Sequence, residues 1–139
     1  YAYDRLVQVF GDLRNKKVAF LGISYRGDVG DTRFTPVDTL VSLVRKAGSK
    51  ITLHDPFVNY WEEQKISVES DLGIVLGSNP DLVIISTGHN AYKKESTIKK
   101  LMAISPAQIY DTIGLFSTDQ ILTLQSRHQV SVLGRGDIK

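Results

Sequence analysis

The stretch LGISYRGDVGDTRFTP, residues 21–36, gathers the side chains best suited to chemistry in this chain. Arg26 and Arg33 are planar cations able to grip phosphate oxygens in pairs, and Tyr25 beside the first offers a ring to pack on a base or sugar. Asp28 and Asp31 lie between the two arginines. Two readings compete. The arginines either hold a phosphorylated ligand or only pair with Asp28 and Asp31 in a solvated loop, and composition does not decide between them.

The stretch has the position of a phosphate-binding turn without its glycine pattern. A dinucleotide fingerprint needs G-x-G-x-x-G between a strand and a helix, whereas Ile23-Ser24-Tyr25-Arg26 separates Gly22 from Gly27 and the next helical pattern waits until Pro36. No Gly-Lys-Ser/Thr closes a P-loop either.

The elements around it follow from periodicity. KVAFLGI at 17–23 is short and almost wholly apolar, the pattern of a strand covered on both faces. Val37, Leu40, Val41 and Val44 share one helical face over 36–47, with Thr35 to cap, Pro36 in the first turn, and Arg45, Lys46 and Gly48 at the end. Strands are predicted at 50–54, 82–87, 108–111 and 129–133, and helices at 3–10, 70–76, 94–102 and 118–125. Strands alternating with helices predict an α/β fold, a doubly wound parallel five-stranded sheet of Rossmann-like kind with flanking helices in a single domain. The polar stretch 59–70 reads as a surface excursion.

Composition narrows the function classes. The 139 residues carry a formal charge of +2 from mixed charges, which argues against a nucleic-acid partner. With no cysteine there is no disulfide, thiolate metal site or cysteine nucleophile within the chain. No apolar run is long enough for a membrane span and no signal pattern opens the chain, so no membrane partner and a cytoplasmic location are expected. An opening Tyr1 and a closing Gly-Asp-Ile-Lys are read as the ends of a piece of something longer.

Other candidate residues have plainer roles. His54, His89 and His128 lie in different elements without metal-ligand spacing. His54 ends a strand; His89 serves a loop, with a place in the ligand cleft as the alternative. Asp55-Pro56 and Asp111 read as strand termination and turn chemistry rather than ribose recognition. Trp61, with Tyr60 and Phe57, marks either an interface or a satellite apolar cluster.

Residues 16–58 resemble the start of the C-terminal domain of the UDP-glucose/GDP-mannose dehydrogenase family: a strand-glycine-aromatic-basic loop, Asp-Thr-Arg, a proline-started helix and a strand ending in Asp-Pro. Thr87-Gly88-His89 with Tyr92, Asp111-Thr112, and Gly134-Arg135-Gly136 follow in the same order. In texture the loop is most similar to UDP-N-acetyl-mannosamine and related UDP-hexosamine 6-dehydrogenases.

The resemblance implies an NAD-dependent UDP-sugar 6-dehydrogenase that oxidises C6 of a UDP-hexose or UDP-N-acetylhexosamine to a uronate for surface polysaccharide. Residues 1–15 would be a linker helix from a preceding central domain, and 16–139 the UDP-sugar-binding domain. Tyr25 and Arg26 would contact the nucleotide sugar. Arg33 would reach NAD bound mainly by an N-terminal domain. The family's catalytic cysteine and lysine are absent from this chain, so catalysis would need the N-terminal and central domains, in a homodimer. One departure stands out: where the family usually has Asp-x-Arg, this chain reads Asp111-Thr112-Ile113, and Ile113 cannot hold a sugar as arginine does. The alternative is a non-catalytic nucleotide-binding regulatory α/β module.

Overall fold

KVAFL forms strand β1, Lys17–Leu21, in a computed structural model that describes residues 2–33 and 35–134. It pairs in parallel with β2, Lys50–His54, on one side and with β5, Leu82–Ile85, on the other. β6, Gln108–Asp111, and β7, Gln129–Val132, extend the parallel sheet beyond β5, giving the order β2-β1-β5-β6-β7. The predicted doubly wound parallel sheet is therefore present.

Alternation along the strands sends successive side chains to opposite faces and so builds two cores. Val18, Phe20, Leu82 and Ile84 pack with Val37, Leu40, Val41 and Val44 of α2, Val37–Lys46, and with Leu6 of α1, Ala2–Phe10. Ala19, Leu21, Val83 and Ile85 face the other way. They pack with Val75 of α3, Leu72–Gly77, Leu101 of α4, Glu95–Ala103, and Leu124 of α5, Thr118–Gln125. Each aliphatic side chain fully buried in this way contributes about 1.5–3 kcal/mol relative to exposure.

Local signals set the helix ends. Ser117 and Gln120 form a reciprocal capping box at the start of α5. The Asp71 carboxylate accepts from the Gly73 N–H at the start of α3. Pro36, rather than Thr35, occupies the cap position of α2, while the Thr35 hydroxyl bonds both the Val37 N–H and the Ser24 carbonyl. Thr35 thus ties the helix start to the loop after β1.

The polar excursion expected at 59–70 is not merely surface. It contains an antiparallel pair, β3, Tyr60–Trp61, and β4, Ile66–Ser67. This hairpin buries Trp61 completely in the core beneath α2, so Trp61 belongs neither to an interface nor to a satellite cluster, although Phe57 and Tyr60 stay exposed. A 3₁₀ turn at Asn90–Lys93, not foreseen from the sequence, buries Tyr92 between β5 and α4. Strands β1 and β5 also stop two residues short of the expected 17–23 and 82–87, because Gly22 and Ser86 turn from the sheet into loops that bond each other. Arg135 and Gly136 of the closing glycine-arginine-glycine motif lie outside the described residues.

Candidate functional site

In the order β2-β1-β5 the chain leaves β1 for one side of the sheet and later returns to the other, so the loops after β1 and β5 part at the carboxyl ends of those strands. Ligands of open α/β sheets bind in that crevice. The loop after β1 is the arginine-bearing stretch, and its backbone is fastened at both ends of the Tyr25-Arg26 turn.

Asp55, at the end of β2 and wholly buried, does most of the fastening. Its Oδ2 accepts from the Ile23 N–H at 3.0 Å, the Ser24 N–H at 3.2 Å, the Ser24 hydroxyl at 2.9 Å and His89 Nε2 at 2.9 Å. Its Oδ1 accepts from the Phe57 N–H at 2.8 Å. Burial pushes the carboxyl up, but the hydrogen bonds from His89, Ile23 and Phe57 outweigh it and hold the group below its ordinary 3.8.

His89 secures the far side of the turn. Its Nδ1 accepts from the Asp28 N–H at 2.8 Å, which leaves the ring proton on Nε2, donated to Asp55. The Asp28 carboxylate in turn accepts from the Asn90 N–H at 2.9 Å and from the Asn90 side chain. The loop lies flush on this segment: a Cβ at Gly27 would stand 2.3 Å from the Gly88 carbonyl oxygen, and one at Gly22 would stand 2.4 Å from Thr87 Cβ. The Thr87 hydroxyl completes the clamp by donating to the Ser24 carbonyl at 3.0 Å.

A second buried pair sits behind the first. The Tyr92 hydroxyl lies 2.8 Å from His54 Nδ1, while His54 Nε2 meets the Ser70 carbonyl at 3.1 Å. The Tyr92 ring stands edge-on to His89, and the Phe57 ring lies tilted against the same imidazole at 5.2 Å. Burial holds His54 below its ordinary 6.5 and drives Tyr92 far above 10. With both ring nitrogens of His54 and of His89 engaged, neither is presented as a proton carrier.

Tyr25 and Arg26 are exposed between the two fastened segments. Among the described residues Arg26 makes no hydrogen bond or ion pair, although its charge helps to lower Asp31. Arg33 behaves otherwise: its Nε and Nη2 reach the two Asp31 oxygens at 3.1 and 3.2 Å, a bidentate pair in solvent. That pair, chiefly through the Arg33 side chain, lowers the Asp31 carboxyl and raises the guanidinium. Asp31 thus pairs with Arg33, while Asp28 is engaged with Asn90 rather than with either arginine.

A cleft of about 450 Å³ lined by Gly30, Pro56, Phe57, Val58, Asn59 and Ser70 opens beside the turn. A larger depression of about 560 Å³ lies at the amino ends of the strands, beside Lys16, Asp81, Gln108 and Gln129. The switch-point geometry favours the first end, because there the loops diverge and the exposed cation stands.

The same loop fits NAD poorly as a principal site. No glycine pattern brings backbone amides to a pyrophosphate, and α2 begins only at Val37 with Asp38 in its first turn, where a carboxylate repels phosphate. Among the described residues no group of three or more His, Cys, Asp or Glu comes together to hold a metal ion, and no helix is long and apolar enough to cross a membrane.

Residues 19–118 match the UDP binding domain of the UDP-glucose/GDP-mannose dehydrogenase family. The chain belongs to that family. UDP-N-acetyl-D-mannosamine dehydrogenase of Methanococcus vannielii is 24% identical over 128 residues, 90% of this chain but 28% of that protein. NDP-N-acetyl-D-galactosaminuronic acid dehydrogenase from Methanosarcina mazei superposes with a TM-score of 0.74 at 26% identity, covering 95% of this chain and 27% of that one. A UDP-D-ManNAc dehydrogenase from Pyrococcus horikoshii shares the fold, with a TM-score of 0.75 at 20% identity over 98% of this chain and 29% of that one. The chain therefore spans little more than a quarter of the length of these relatives.

Sequence reasoning named Tyr25, Arg26 and Arg33 but missed what holds them. From the sequence Asp55 reads as strand termination and turn chemistry and His89 as a loop residue, and only their positions just past strand ends mark them as capable of more.

Proposed function

We propose that the chain is the nucleotide-sugar-binding domain of an NAD-dependent UDP-sugar 6-dehydrogenase that oxidises C6 of a UDP-hexose or UDP-N-acetylhexosamine to a uronate. Membership of the family's UDP binding domain supports the nucleotide, and the relatives' names support the sugar class. The observation that carries the reading is the exposed Tyr25-Arg26 turn at the switch point, with the Arg26 guanidinium left available by the diversion of Asp28 to Asn90.

In this reading Arg26 faces the phosphates or ribose and Tyr25 packs beside them. Arg33 adds one contact to NAD, whose principal site lies in an N-terminal domain, after exchanging or sharing its Asp31 partner. A central domain precedes residue 16, with α1 as the linker helix. The complete enzyme is a cytoplasmic homodimer serving surface polysaccharide synthesis. Catalytic power then comes from position: binding energy on the nucleotide holds C6 near reactive groups supplied by the other domains.

The test is an amide-shift titration of the labelled protein with UDP and, separately, with NAD. UDP should move resonances at Gly22 to Arg26, and Arg26→Ala should weaken binding roughly tenfold while leaving the fold intact, since a charge-assisted contact is lost from an exposed site. In the full-length enzyme the same variant should raise KM more than it lowers kcat. Silence toward UDP at millimolar concentration in both forms would sink the reading.

A further inference from the structure

The pinned turn carries an inference about His89 that rests on the nucleotide reading above. We infer that His89 is a positioning residue for the nucleotide: its Nδ1 holds the Asp28 amide and so fixes the Tyr25-Arg26 turn toward the ligand. The contacts run in a chain through the buried Asp55 carboxylate. Asp55 grips the loop before the turn at Ile23 and Ser24, and it grips His89 by Nε2. His89 grips the loop after the turn at Asp28 by Nδ1. One buried carboxylate thus anchors both stems, directly on one side and through an imidazole on the other.

The imidazole is suited to this task because it spans the gap with a donor on one edge and an acceptor on the other. It is wholly buried, walled by Tyr92 and Phe57, and cannot swing away without breaking both bonds. The Asp28 amide needs that acceptor: Asp28 has a positive φ of 61°, a backbone state that an L residue leaves readily when its bonds are removed. Its carboxylate holds Asn90, so loss of the amide bond would loosen the loop there as well. Among the described residues the side chains of Tyr25 and Arg26 make no such anchoring contacts; the Tyr25 N–H donates to the Asp31 carbonyl at 2.6 Å, and the stems set the rest of the turn's direction.

Two substitutions separate the two edges of the ring. In His89→Asn the side-chain oxygen falls near the place of Nδ1 and keeps an acceptor for Asp28 while losing Asp55. In His89→Gln the longer amide reaches Asp55 and leaves the Asp28 N–H unpaired. The measurements are hydrogen exchange at the Asp28 amide, UDP affinity by amide shifts, and the urea midpoint. For the glutamine variant we expect roughly tenfold faster exchange at Asp28 and roughly tenfold weaker UDP binding, the scale of one lost buried hydrogen bond. The asparagine variant should restore both.

A role confined to stability would lower the urea midpoint in both variants and leave UDP affinity unchanged, and this would overturn the inference. If UDP fails to bind the unaltered protein while exchange at Asp28 still separates the variants, the nucleotide reading falls and the positioning of the turn stands. Should the glutamine variant not fold, the ring 15N shifts of His89 in the unaltered protein decide. A proton on Nδ1 would overturn the inference; an unprotonated Nδ1 that shifts when UDP is added would support it.

Discussion

The Asp55 carboxylate and the His89 imidazole meet at 2.9 Å, both wholly buried, between the ends of β2 and β5. Through this contact three loops share one anchor, since Asp55 also holds the loop after β1. Removing the carboxylate in Asp55→Ala strands the Ile23, Ser24 and Phe57 amides together with the His89 N–H. A loss of about 3 kcal/mol or more is expected, because each buried donor left unpaired costs about 1–3 kcal/mol. Urea denaturation followed by circular dichroism measures it; a loss under about 1 kcal/mol would mean that water replaces the carboxylate.

Gly27 is required by space rather than by backbone angle. A methyl at this position meets the Gly88 carbonyl oxygen at 2.3 Å, and that oxygen is backbone, which cannot swing aside. Gly27→Ala should therefore cost on the order of 2 kcal/mol and lift the turn from its seat. UDP affinity should fall with it. Comparison with Gly77→Ala, where a Cβ meets nothing within 4 Å, supplies the control.

Two histidines give stability a slope near neutrality. Burial holds His54 and His128 below their ordinary 6.5 in the fold, so below that pH the unfolded chain takes up protons that the native state refuses. Their contribution is present above 6.5 and is lost as pH falls toward the depressed native values. The urea midpoint should drop between pH 7.5 and 5.5, approximate settings that bracket the ordinary histidine value. His128→Gln should flatten that slope although it lowers the midpoint at every pH. Asp111 opposes the trend at more acid pH, because burial raises its carboxyl above 3.8 despite bonds from Phe116, Ile113 and Leu115. Its contribution is whole below 3.8 and fades as pH rises through the raised value.

Trp61 is buried, and among the described residues its indole N–H has no partner. Trp61→Phe removes the unpaired donor while keeping most of the apolar ring, so the relief of about 1–3 kcal/mol offsets the loss of packing. Stability should change by less than about 1 kcal/mol. Trp61→Ala, which also empties the site, should cost about 3–5 kcal/mol. A phenylalanine variant as damaged as the alanine one would show that the N–H bonds a buried water.

The sheet was legible because its strands are nearly unbroken apolar runs and α2 has a clean face at Val37, Leu40, Val41 and Val44. Tyr25 and Arg26 were legible as a pair whose types suit a phosphorylated ligand. The hairpin around Trp61 was not, since two-residue strands carry no periodicity and its flanks, Glu62, Glu63, Gln64 and Lys65, are polar. The tie between Asp55 and His89 was also hidden. It joins residues 34 apart through a fold-level contact, and neither neighbourhood contains a pattern pointing to the other. The fate of the two arginines turned on Asn90, which claims Asp28 and leaves Asp31 to Arg33.

The strand order has a consequence for how the protein comes to be. As the chain leaves the ribosome, β1 and β2 can pair as soon as both exist, but β1 keeps an open hydrogen-bonding edge until β5 is made. His89 follows β5 by only a few residues. The same stretch of synthesis that covers the open edge of β1 therefore delivers the last anchor of the turn, so the binding surface should emerge with the β2-β1-β5 core, before β6 and β7 are added.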